Sequence, residues 1–187
     1  IKNYGIQDLS KIDNSIFQQI KFQKLVTNGS FCKKLEKKIS KLVGSKFSVV
    51  CNNGTSAIMM AILSLKIKDI VAIIPNINFV AAANIISLLK GKIILCDVNK
   101  NTGMVDLDSF KKILDLCKKK KIKPNLFIPV HYGGDVIDLN KINNLCLRNK
   151  IDVIEDGCHS FNSQKIIYQS MCIFIIHTPF FVLQIKS

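Results

Sequence analysis

Two short stretches of this chain hold residue types that do chemistry. The first, Ile151-Asp152-Val153-Ile154-Glu155-Asp156-Gly157-Cys158-His159-Ser160, reads as an apolar strand running into Glu155 and Asp156, then a tight turn carrying His159. An acid at the end of a buried strand is costly unless something cationic meets it. In an open α/β sheet, that carboxyl end is where ligands bind. Upstream, a strand over 47–52 leads into Asn53-Gly54-Thr55-Ser56-Ala57 and a helix. A glycine ahead of a helix's first turn lets the backbone approach an anion, which the free amides and the helix dipole then hold. The hydroxyls of Thr55 and Ser56 would add donors. Each stretch also has an ordinary use: a turn glycine followed by a Ser or Thr cap, and an aspartate serving as a cap or in an ion pair.

A pyridine nitrogen stays protonated when a carboxylate faces it, and the charged ring is then an electron sink for a substrate carbanion. Asp156 has that potential, and His159 could lie near the ring oxygen of such a ligand or orient Asp156. Phe79 sits in the loop after another strand and could stack on a planar ring; taken alone, it would be core. His131, followed by Tyr132-Gly133-Gly134 at a strand end, suggests a structural or site-lining histidine. An anion at Gly54 and a charged heteroaromatic ring at Asp156 together describe pyridoxal phosphate.

The elements needed to position these residues alternate along the chain. Asp13–Leu25 reads as an amphipathic helix, and a second helix runs from about Cys32 to Val43, closed by Gly44. Strands are expected over 47–52, 70–74, 92–96, 126–130 and 151–154. Helices are expected over 55–65, to about Leu89, after Asp106 as its cap, and over 139–149. The helix from Thr55 is apolar almost all round, which requires burial on more than one side. Continuous apolar strands separated by helices predict an α/β three-layer sandwich with a mostly parallel sheet. The expected organisation is an N-terminal helical arm over 1–45, an α/β domain over 46–164, and a divergent or truncated tail over 165–187.

Composition narrows the function. Nearly half of the 187 residues are apolar, so a packed core is expected rather than disorder. The net charge of +14 invites a nucleic-acid reading, but Arg148 is the only arginine. Phosphate and base recognition favours the guanidinium fork. The run Lys118–Lys121 is better read as a solvated helix end favoured by the dipole. Seven cysteines without a Cys-x-x-Cys pair fit reduced, buried thiols in a cytoplasmic protein, not a disulfide framework or metal site. No apolar run reaches membrane-spanning length. The chain begins at Ile1, as a fragment would.

Several motifs recur together and in order: Thr27-Asn28-Gly29 through Leu35-Glu36, Asn53-Gly54-Thr55-Ser56-Ala57, Pro75 to Phe79 followed by Val80-Ala81-Ala82-Ala83-Asn84, Cys96-Asp97-Val98, Pro129-Val130-His131-Tyr132-Gly133-Gly134, and Ile154-Glu155-Asp156-Gly157-Cys158-His159. This set resembles the DegT/StrS-type nucleotide-sugar aminotransferases, fold-type I pyridoxal-phosphate enzymes, over roughly residues 4 to 164. The resemblance implies that Thr55 and Ser56, beside Gly54, hold the cofactor phosphate. It implies that Phe79 stacks on the ring, Asp156 pairs with the pyridinium nitrogen and His159 lies beside the ring. It further implies glutamate as amino donor, a keto sugar on a nucleotide as acceptor, and a homodimer with sites at the subunit interface. The Glu-Asp-x-x-His and Pro-Val-His-Tyr-Gly-Gly segments look most like the branch that aminates C4 of UDP-linked 4-keto-6-deoxy sugars.

The tail departs from that pattern. Family members place a lysine, linked covalently to the cofactor, after a Phe-Ser-Phe-His-like strand and turn. Here Phe174 and His177 echo the strand, yet no lysine follows in place: Lys165 comes too early, and Lys186 stands in the wrong context. The catalytic lysine is therefore unassigned, the small C-terminal domain is absent from the sequence, and the polypeptide is expected to be inactive alone. One alternative is a non-catalytic relative that binds cofactor or a partner. Another is a pyridoxamine-dependent dehydratase using His177, whose spacing from Asp156 is too short. An unrelated dinucleotide-binding protein lacks the expected Gly-x-Gly-x-x-Gly after the first strand.

Overall fold

The computed structural model describes residues 29–160, 171–177 and 180–185. The expected helix over 13–25, and Lys165 and Lys186, fall outside them. Ile1–Leu35 forms one compact unit and Glu36–Ser187 another. The sheet and both of its helical layers belong to the second unit.

The elements are α1 (Ser30–Val43), β1 (Phe47–Cys51), α2 (Gly54–Ser64), β2 (Val71–Pro75), α3 (Ala81–Leu88), β3 (Lys92–Cys96), α4 (Leu107–Lys119), β4 (Leu126–Phe127), α5 (Asn140–Asn149), β5 (Asp152–Asp156), β6 (Met171–His177) and β7 (Phe180–Ile185). They build one seven-stranded sheet in the order β1-β7-β6-β5-β4-β2-β3. β7 runs antiparallel to both of its neighbours, and every other pairing is parallel. All strands except β7 therefore point the same way and deliver their carboxyl ends to one edge. Two strands drawn from the segment expected as a divergent tail fill the sheet between β1 and β5.

Period-two alternation divides the core between the two faces. Ala72, Ile74, Leu126, Ile128 and Ile154 pack under α2 and α3, against Ala57, Ile58, Ala61 and Ile62. Their neighbours Ile73 and Phe127 face the other way, into Phe110 and Leu114 of α4 and Ile142 and Cys146 of α5. The rings of Phe110 and Phe127 meet at 4.6 Å with no exposed surface. These are the three layers expected from the apolar strands. α2 lies across β6 and β7 and beside α3, so most of its apolar surface is covered, although Leu63 stays half exposed.

Two boundaries differ from expectation. The strand expected over 126–130 keeps ladder geometry only at Leu126–Phe127, with an isolated bridge from Val130 to Asp156. Pro129 has no N–H to donate, so the ladder breaks around it. β5 extends two residues further than the apolar run, so Glu155 and Asp156 are its last two residues.

Asp106 caps α4 as expected: its Oδ1 accepts the Ser109 N–H at 2.8 Å, and Asn99 donates to Oδ2 at 3.0 Å. The Ser109 amide first, and the Asn99 side chain second, hold the Asp106 carboxyl below its ordinary value of 3.8. A depressed carboxyl stabilises the fold fully above its unfolded value and loses that contribution as pH falls through the folded one. Asp106→Ala should therefore cost about 1 kcal/mol at neutral pH. In urea denaturation, the gap between variant and parent should shrink as the pH is taken below 3.8.

Candidate functional site

The carboxyl edge of the sheet holds a cleft of about 640 Å³, lined among others by Gly54, Thr55, Phe79, Tyr132, Asp156 and His159. This volume suits a small organic ligand. Its lining gathers at the carboxyl ends of strands: Gly54 comes after β1, Phe79 after β2 and Tyr132 after β4, and Asp156 is the last residue of β5. Five of the six residues singled out in the sequence thus meet in one cavity. Ser56 does not line it.

The start of α2 explains that difference. Asn53 is the cap, and its Oδ1 accepts the Ser56 N–H at 2.7 Å, while its carbonyl accepts Ala57 N–H at 3.1 Å. Those two amides are consumed inside the helix terminus. Gly54 and Thr55 are the positions whose amides a terminus leaves for a ligand. The cap is thus Asn53, ahead of the glycine, and not the Thr or Ser that the sequence suggested, and it leaves the amides of Gly54 and Thr55 facing out of the helix start.

Phe79 is held by a short loop in which Asn78 Nδ2 donates to the Pro75 carbonyl at 2.6 Å and Asn76 N–H to the Cys96 carbonyl at 2.9 Å. Its ring is 74% exposed, with Val80 and Ile77 exposed beside it. A large ring left in water at a cleft's rim is a contact surface rather than core.

Asp156 is 7% exposed. Its backbone is tied to the loop after β4, donating to the Pro129 carbonyl at 2.8 Å and accepting from His131 N–H at 2.9 Å. Its Oδ1 accepts the Cys158 N–H at 3.1 Å, which fixes the side chain's rotation. The neighbouring acid does something else. Glu155 points to the opposite face of the strand and meets His131 Nε2 at 3.1 Å, both side chains being buried. The other nitrogen of His131, Nδ1, accepts the Ile137 N–H at 3.3 Å, so the proton on Nε2 is directed at Glu155. His131 is therefore a structural histidine and does not line the cleft, which resolves the choice left open by its place in the sequence.

His159 is exposed at the cleft wall, its Nδ1 accepting Gly133 N–H at 3.4 Å and its ring 5.7 Å from that of Tyr132. Asn53, Tyr132 and Cys158 were not singled out as site residues. Each carries a signal in hindsight: a cap position, a strand's carboxyl end, and the turn between Asp156 and His159. The Cys158 thiol is pushed well up, by burial first and then by the charge and hydrogen bond of Asp156. Burial also raises the Cys51 thiol, so neither is a ready nucleophile. No group of three or more potential metal ligands occurs among the described residues. None of their helices is long and apolar enough to cross a membrane.

The chain belongs to the DegT/DnrJ/EryC1/StrS aminotransferase family, whose sequence profile matches residues 7–166. It is 26% identical over 161 residues to a UDP-4-amino-4,6-dideoxy-N-acetyl-beta-L-altrosamine transaminase of Campylobacter jejuni, covering 86% of this chain and 42% of that protein. It is 30% identical over 157 residues to a UDP-4-amino-4-deoxy-L-arabinose–oxoglutarate aminotransferase of Shewanella sediminis, covering 81% of this chain and 39% of that one. The chain thus spans about two-fifths of the length of these relatives. Among solved structures, a DegT/DnrJ/EryC1/StrS aminotransferase from Brucella abortus superposes with a TM-score of 0.84 at 18% identity, over 93% of this chain and 51% of that chain. NtdA from Bacillus subtilis, solved with bound PMP, superposes with a TM-score of 0.79 at 23% identity, over 93% and 41%. These likenesses establish the fold as that of the pyridoxal-phosphate aminotransferases.

The buried pair behind the cleft is testable apart from any ligand. Glu155→Leu leaves the His131 Nε2–H without its acceptor and should cost about 1–3 kcal/mol. Glu155→Gln keeps an acceptor and should cost less than half as much, both read as midpoint shifts in urea.

Proposed function

We propose that this chain carries the cofactor-binding portion of a nucleotide-sugar aminotransferase that takes its amino group from glutamate. The observation that carries the reading is the shared cleft, with the free amides of a helix start on one wall and a buried, rotationally fixed Asp156 on another. The residues present fit pyridoxal phosphate. Gly54 and Thr55 would hold the phosphate, and Phe79 would cover a ring face. Asp156 would meet the ring nitrogen, and His159 would stand beside the ring. When bound, that cofactor accepts an amino group from one substrate and passes it to another, because its charged ring withdraws electrons.

Asp156 supplies the opposite charge that keeps a ring nitrogen protonated, and its burial strengthens that interaction. Cys158 and the Pro129–His131 backbone keep it from rotating away. Raised thiol pKa values at Cys51 and Cys158 limit side reactions with an electrophilic ligand. A UDP-linked 4-keto-6-deoxy sugar is the acceptor favoured by the Glu155-Asp156 to His159 and Pro129–Gly134 segments. We place the full-length protein in the cytoplasm as a homodimer, with the exposed Ile77, Phe79 and Val80 as an apolar rim for a partner.

A second reading, cofactor binding without turnover, is favoured by one observation: no lysine lines the cleft among the described residues. β7 runs from the cleft edge back to the far edge, where Ile185 pairs with Phe47.

Two measurements test the proposal. Pyridoxamine phosphate should bind the chain saturably, and Asp156→Asn should weaken it about 10–100-fold, the value of a hydrogen bond to a charged group. Thr55→Ala should weaken it less. Absent binding, or an unaffected Asp156→Asn variant, would reject the site. In a full-length protein containing this chain, Asp156→Asn should abolish amino transfer from glutamate to the keto sugar, followed by mass, with the fold intact by circular dichroism.

A further inference from the structure

His159 raises a problem that its own backbone does not solve. The turn beneath it is firm, with Ser160 N–H donating to the Gly157 carbonyl at 2.9 Å. Its side chain, however, is exposed. An exposed imidazole is free to rotate and to exchange its proton between two nitrogens, and ordering it on ligand binding costs entropy. A group that must meet a ligand from one fixed direction needs something outside that turn to hold it.

We propose that Tyr132 is a positioning residue for His159, fixing the imidazole so that Nε2–H is presented to whatever occupies the cleft. The proposal rests on the reading of this cleft as the cofactor site and adds how one of its walls is held in place.

Three observations converge on it. The Tyr132 ring lies 5.7 Å from the imidazole at an interplanar angle of 57°, within the range of tilted aromatic pairs. The next residue donates its backbone N–H to His159 Nδ1 at 3.4 Å. That amide can face the imidazole because Gly133 takes a φ of +65° and Gly134 one of +89°, a path that side chains resist. With Nδ1 occupied as an acceptor, the proton belongs on Nε2, the nitrogen left for a ligand.

Tyr132 is itself backed. Gly103 packs beside its ring, where an added Cβ would stand 3.4 Å from Cδ1. That glycine sits in a turn closed on Asn99, whose carbonyl accepts Gly103 N–H at 2.8 Å and whose Oδ1 accepts Asn101 N–H at 2.9 Å. The tyrosine ring thus lies between a hydrogen-bonded turn and the imidazole. His131 shows the contrast. It too has Nδ1 taken by a backbone amide, but it uses Nε2 internally on Glu155. His159 keeps the same tautomer and leaves Nε2 to the cleft.

The test uses the 187-residue chain labelled with 15N-histidine, at about pH 8, above the ordinary range of a free imidazole. Long-range 1H–15N spectra, assigned with His159→Asn and His131→Asn, should show His159 as a single Nε2–H tautomer without any ligand. Tyr132→Ala should convert it to a mixture, and Tyr132→Phe, which keeps the ring, should restore it. A tautomer mixture at His159 in the unaltered chain overturns the proposal, whatever the variants do. Binding of pyridoxamine phosphate then supplies a cycle. Tyr132→Ala should weaken it about fivefold when His159 is present and leave it unchanged in the His159→Asn background. Equal losses in both backgrounds, or an equal loss in Tyr132→Phe, would mean that the tyrosine contacts the ligand itself, and would overturn the positioning role. If no pyridoxamine phosphate binds, the cofactor reading fails while the spectra still decide the positioning of His159.

Discussion

The structure depends on how the end of β5 is tied to the loop after β4. Asp156 N–H reaches the Pro129 carbonyl and His131 N–H reaches the Asp156 carbonyl, so two chain segments that would otherwise fray at the sheet edge are closed on each other. The alternation of a strand then separates two adjacent acids. Glu155 turns inward to a buried histidine, and Asp156 turns to the cleft. A buried carboxyl without a partner costs several kcal/mol. Glu155 is satisfied by His131, and Asp156 by the Cys158 N–H at the wall of the cleft. His131 connects the two roles, since its backbone anchors Asp156 while its side chain holds Glu155.

Much of this was legible in the sequence because the elements obey local rules. Apolar strand runs bounded by Pro75, Asp97 and Gly157 fixed the parallel sheet. The helix after Asp106 was capped as its residue types required, and Gly54 and Asp156, singled out in two distant places, line one cleft. What escaped was tertiary. The use of Ser56 N–H by Asn53 is the local exception: Asn is a favoured helix cap, but Thr55 and Ser56 offered competing cap positions beside it. The shortening of β4 was readable in principle from Pro129, but an apolar run of the right length masked it. His131 was ambiguous because its role is decided by Glu155 on another strand, and Tyr132 because its importance lies in what stands beside it.

The last described strands bear on the site without supplying a described residue to it. Gly54 follows β1 and Asp156 ends β5, and β7 and β6 stand between those strands in the sheet. Three inter-strand steps separate β1 from β5 by roughly 14 Å, more than a single small ring with a phosphate can bridge. The distance is closed because α2 leans inward across β6 and β7, where its contacts with the sheet lie. A helix that leaned instead over the outer edge of β1 would carry its free amides away from Asp156 and divide the cleft in two. The turn at Gly54 is thus placed by strands that come more than a hundred residues later in the chain. For that reason the sheet must close, with β7 threaded antiparallel beside β1, before Gly54 and Thr55 can line one cleft with Asp156 and His159.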